Sequence, residues 1–98
     1  MITQSIRTRH RAVIPYVTAG LPSLDATGRT ISALADAGAA AIEIGIPFSD
    51  PMADGPVLQR ASQKALQAGF RMDALMERLD GWSAMIDIPL IVMSYINP

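Results

Sequence analysis

The 98-residue chain has no cysteine and a single histidine. Without thiols there is no disulfide framework, no thiolate nucleophile and no zinc site of the thiolate kind. His10 stands in a basic lead-in, so a histidine-based triad or metal site has no footing. Aromatic residues make up 5% of the chain and the formal net charge is -1. Arg7, Arg9 and Arg11 form the only positive cluster, and no basic run supplies a footprint for nucleic acid. That trio reads as a solvated N-terminal segment rather than a targeting peptide. No apolar run reaches the roughly 18–20 residues needed to cross a bilayer. Missing too are G-x-G-x-x-G after a strand and G-x-x-x-x-G-K-[ST], which removes the dinucleotide and P-loop readings. A cytoplasmic home fits all of these absences.

What is present is a chain 50% hydrophobic, with seven glycines and seven prolines set between apolar segments. Residues 1–98 read as a single domain at most, with no linker, internal repeat or low-complexity tract. At this size a domain buries only about 60–65% of its unfolded surface, so a flat layer would be marginal alone. Residues 12–18 read as a short buried strand, in which Pro15 is a warning because it cannot donate to a sheet ladder. A turn follows, and Ser23 or Asp25 can cap a helix over residues 24–37 with Ile31, Leu34 and Ala35 on its apolar stripe. Gly38 is its left-handed stop. A second strand covers residues 40–44 and a long loop residues 45–55.

Pro56 suits the first position of a helix running to residue 68, with Leu58, Ala61, Ala65 and Leu66 facing in and Gly69 ending it. A further helix runs from residue 72 to 79 or 82, with Leu75, Met76 and Leu79 inward. The methionines and Trp82 read as packing residues. A third strand spans residues 90–95, and Asn97-Pro98 is turn chemistry. Strand–helix–strand–helix–strand with continuously apolar strands implies an α/β fold with a parallel sheet. Doubly wound sheets and β/α barrels both fit that order. In either, sites collect at the carboxyl ends of the strands, where Thr18, Glu43 and Tyr95 are expected.

Glu43 is the residue out of place. It lies between Ile42 and Ile44, behind three alanines, in a run that otherwise reads as fully buried. An ionised carboxylate there loses hydration, a cost most readily tolerated where the group does chemistry. The plainer alternative is an unseen Arg or Lys partner, or a solvated edge. Asp54 follows eleven positions later, in a loop stiffened by Pro47, Pro51 and Pro56 that could fold it back over the strand end. Two carboxylates in unlike surroundings can divide the work, one carrying a proton while the other stays charged. D-P and D-G are also ordinary turn pairs, so Asp50 and Asp54 have a plain reading as well. Ser49 has no base near it in sequence and reads as a turn residue.

The stretch from Ile42 to Gln59, with its P-F-S-D-P-M-A-D-G-P loop, is similar to the signature of the tryptophan synthase alpha chain family. Residues 14–20 resemble that family's first strand and turn, and residues 89–97 its third strand. The resemblance implies the first three strands of a (β/α)8 TIM barrel, in which proline within the first strand is usual. It implies a cytoplasmic enzyme that cleaves indole-3-glycerol phosphate to indole and glyceraldehyde 3-phosphate by a retro-aldol step without a cofactor. Indole then passes to a pyridoxal-phosphate-bearing beta chain in an alpha2-beta2 assembly. By position, Glu43 matches the family's general acid/base, and Asp54 the carboxylate that holds the indole N–H. Tyr16 and Met93 match positions lining the indole pocket. Asp50, Pro51 and Asn97 match the region that faces the beta chain. No metal is implied.

A complete barrel needs about 250 residues. The expectation is therefore a fragment that lacks the glycine-rich phosphate-binding turns, has no useful turnover alone and self-associates through its open edges. The competing readings are another phosphate-handling β/α-barrel isomerase, and a non-catalytic module that binds a beta-type chain. The P-F-S-D-P loop speaks against the first. Glu43 speaks against the second, since binding alone does not require a carboxylate inside a strand.

Overall fold

Strand β1 (Tyr16–Thr18), helix α1 (Leu24–Asp36), strand β2 (Ile42–Gly45), helices α2 (Pro56–Gln67) and α3 (Met72–Ala84), and strand β3 (Leu90–Met93) follow one another along the chain. The structure, a computed structural model, describes residues 13–47 and 55–93. The strands form one parallel sheet in the order β1-β2-β3, each pair joined through helical segments. This is the α/β layer expected from the alternation of apolar runs.

β1 is shorter than its apolar run, starting at Tyr16 rather than at residue 12. Pro15 enters the ladder only as an acceptor: its carbonyl takes the Glu43 N–H at 2.9 Å, so its missing donor costs the β1–β2 pair nothing. At the head of α1, Ser23 is the cap of the two candidates. Its backbone is extended and its hydroxyl oxygen accepts from the Ala26 N–H at 3.1 Å. Pro56 opens α2 at the position where its absent N–H is no loss. Gly38 (φ 99°) and Gly69 (φ 94°) take the left-handed conformation just past α1 and α2, as the sequence predicts.

One face of the sheet is covered by helices. Val17, Ile42, Ile44 and Leu90 pack there with Ile31 of α1 and with Leu75 and Trp82 of α3. Ile31, Ile42, Ile44 and Leu75 are fully buried. Trp82 lies against the bare backbone of α1 at Gly28, where a Cβ would stand 2.7 Å from its indole nitrogen. The expected inward faces need correction in detail. α1 buries Thr27 and Gly28 with Ile31, while Leu34 and Ala35 are half-buried. In α2, Ser62 and Ala65 are buried and Leu66 is exposed.

In α3, Leu75, Leu79 and Trp82 make an i, i+4, i+7 line toward the core. Met76 stands about 100° round the axis from Leu75 and is 58% exposed. Met72, Met85 and Met93 are exposed as well, so the packing role expected of the methionines fails at all four described positions.

Candidate functional site

Successive side chains of a strand point to opposite faces, so the register fixes what lies on the face away from the helices. Tyr16, Glu43 and Ile91 form one row across the three strands, and Thr18, Gly45 and Met93 form the row at their carboxyl ends. Tyr16 is 40% and Met93 45% exposed on this open face. Glu43 is half-buried between the fully buried Ile42 and Ile44, and its backbone N–H is held by Pro15. It is the second residue of β2 and not its end, because the strand runs on to Gly45. The reactive rim expected at Glu43 therefore begins one row lower in the sheet. Thr18 does close its strand as expected.

The upper row is crossed by a ring. A Cβ placed on Gly45 would lie 1.6 Å from the hydroxyl oxygen of Tyr16 and 2.2 Å from Cζ. The Tyr16 phenol thus leans forward along its strand and sideways over Gly45, in the row beyond Glu43. Three of the residues singled out in the sequence, Tyr16, Glu43 and Met93, share one face. Asp54, Asp50, Pro51 and Asn97 lie outside the described residues, as do Ser49 and Tyr95. The expected approach of Asp54 to Glu43 falls there too. Gly45 and Ile91 were not anticipated. Gly45 reads as the start of the loop in the sequence, and only the extension of β2 to it makes it a strand glycine, the kind that often marks a close approach.

A carboxylate half-withdrawn from water, an aromatic ring and a thioether on one sheet face suit proton transfer beside a flat apolar ligand. Away from this face, two exposed ion pairs stand on the helices. Arg78 of α3 donates to Asp25 of α1 and holds its carboxyl below the usual value by that hydrogen bond and then by its charge. Arg71 does the same for Asp73 at 2.7 Å, aided by the Ala74 N–H. Both guanidiniums border a cavity of about 190 Å³ between the β1–α1 and α2–α3 turns, already held by carboxylates. Among the described residues no three His, Cys, Asp or Glu side chains gather to hold a metal. No described helix is long and apolar enough to cross a membrane.

The family model for the tryptophan synthase alpha chain matches residues 2–98. The chain belongs to that family. A tryptophan synthase alpha chain from Alkaliphilus metalliredigens is 51% identical over 87 residues, which is 89% of this chain and 33% of the relative. One from Cyanothece sp. is 46% identical over 87 residues, with the same shares. Among solved structures, tryptophan synthase from M. tuberculosis superposes with a TM-score of 0.84 at 31% identity, covering 99% of this chain and 41% of the other. A mutant tryptophan synthase alpha-subunit from Pyrococcus furiosus gives 0.81 at 40% identity, covering 89% and 35%. The chain spans about a third of the length of the curated relatives it matches. Its sheet and helices are the strand–helix units of the TIM barrel that tryptophan synthase alpha chains form.

Proposed function

We propose that these residues supply the acid/base part of a tryptophan synthase alpha-type site, a lyase that cleaves indole-3-glycerol phosphate into indole and glyceraldehyde 3-phosphate. The observation that carries the reading is Glu43 on the open face of the sheet, beside Tyr16 in register and away from the helix-packed core. Glu43 gives a proton to indole C3 and takes one from the glycerol hydroxyl. The carbon–carbon bond breaks, its electron pair restores the aromatic ring, and the hydroxyl carbon becomes the aldehyde. Asp54 holds the indole N–H while the ring is cationic. Tyr16 and Met93 line the indole, and the step needs no cofactor.

Asp50, Pro51 and Asn97 belong to the side that meets a beta chain, which takes up the indole in an alpha2-beta2 assembly in the cytoplasm. Residues 1–98 act as part of a single barrel domain. The test is a completed barrel, these 98 residues joined to the portion that follows the matched region in the Alkaliphilus metalliredigens relative. In it, Glu43→Gln lowers indole release by roughly 10²–10⁴-fold, the scale of general acid–base catalysis, while binding of the beta chain survives. A Glu43→Gln barrel that cleaves at the parent rate refutes the assignment.

A further inference from the structure

We propose that Gly45 is a positioning residue for the Tyr16 phenol, its missing side chain fixing where that ring lies on the open face beyond Glu43. The inference rests on the reading of Tyr16 as a wall of the ligand site, and it adds a residue to which no role has been given. The space is shared without remainder. A Cβ on Gly45 would fall 1.6 Å from Oη, 2.2 Å from Cζ and 3.0 Å from Cε1 of Tyr16. The first two distances lie inside any tolerable contact, and the atoms met are the rigid end of a ring. Two rotatable bonds carry the phenol, so even one added methyl must swing the whole ring off β2.

Gly45 itself cannot yield easily. It ends β2 between two neighbours, paired with Thr18 and with Met93, and its carbonyl accepts from the Ala19 N–H at 2.9 Å. It is buried although it has no side chain of its own, because the Tyr16 ring covers it. Glu43 lies two residues earlier on the same face and is the register partner of Tyr16, about 4.8 Å away between backbones. A ring displaced from Gly45 therefore changes the space directly beside the carboxylate. Glycine at this position is explained by the ring and not by its backbone, since no left-handed φ occurs there.

The experiment has two readouts. In the completed barrel, 3-fluorotyrosine labels the tyrosines, and the Tyr16 signal is assigned by its loss in Tyr16→Phe. Gly45→Ala is expected to move the Tyr16 resonance. In the completed barrel, KM for indole-3-glycerol phosphate is measured for Gly45→Ala, Tyr16→Ala and the double variant. A positioning role gives Gly45→Ala a rise in KM comparable to that of Tyr16→Ala, roughly tenfold, and the double variant rises no further. If Gly45→Ala alone fails to fold, the double variant, which has room for the methyl, folds.

An unmoved Tyr16 resonance overturns the proposal. So do losses that multiply in the double variant, or a double variant that is unfolded as well. A moved resonance with KM unchanged in both single variants upholds the placement of the ring and refutes Tyr16 as a ligand wall, so the two readings fail separately.

Discussion

Thr27 and Glu43 are both polar residues among apolar neighbours, and the fold treats them differently. Thr27 is fully buried. Its hydroxyl accepts from the Gly20 N–H at 3.0 Å and donates to the Ser23 carbonyl at 2.9 Å, tying the β1–α1 turn to the start of the helix. Thr27→Val keeps the shape but strands the Gly20 donor, a loss of about 1–3 kcal/mol. Thr27→Ser restores most of it, as urea unfolding at one fixed protein concentration would show.

Glu43 has no such internal employment on the helix side, which is why its sequence signal was the more informative one. A lone carboxylate in an apolar strand is conspicuous, whereas threonine in an amphipathic helix is ordinary. Thr27 therefore stayed invisible until its partners were seen. Gly45 was hidden for a related reason: what makes glycine necessary there is a ring 29 positions earlier in the chain, and no local pattern carries that pairing.

The order and type of the elements were legible because the helices carry their own boundary chemistry: Gly38 after α1, Pro56 at the first position of α2 and Gly69 after it. Which side of each helix turns inward was less so. The stripe on α3 is set by Leu75, Leu79 and Trp82, and Met76 resembles them in hydrophobicity but not in angle. Leu75→Ala is expected to cost about 2–5 kcal/mol through the cavity it leaves, while Met76→Ala costs far less. Parallel denaturation curves would rank the two.

The Asp25–Arg78 pair links α1 to α3 on their exposed side. Asp25 has its carboxyl lowered below 3.8 in the folded chain, so its contribution is complete above that value and disappears as the pH falls through the lower, folded one. The stability gap between the parent and Asp25→Asn should therefore narrow when urea midpoints are compared at about pH 6 and about pH 2. A gap that widens in acid contradicts the pairing. The pair is exposed, and the effect is correspondingly small.

For the whole molecule the decisive property is an unequal sheet, one face packed and the other open. Among the described residues β1 and β3 each pair on one side only, and Tyr16 and Met93 stand exposed above them. Unpaired parallel edges beside apolar surface invite further strands. The 98 residues by themselves are thus expected to self-associate in sedimentation experiments and to release no indole from indole-3-glycerol phosphate. A compact monomer that unfolds cooperatively, or one that turns over substrate, contradicts this. Completing the barrel should remove the association.

The location of Trp82 has a practical side. The one natural fluorophore of its kind in the chain is seated on Gly28 in the helix layer, with the sheet between it and the face that carries Glu43. Its emission will therefore report the docking of α3 on α1 during unfolding.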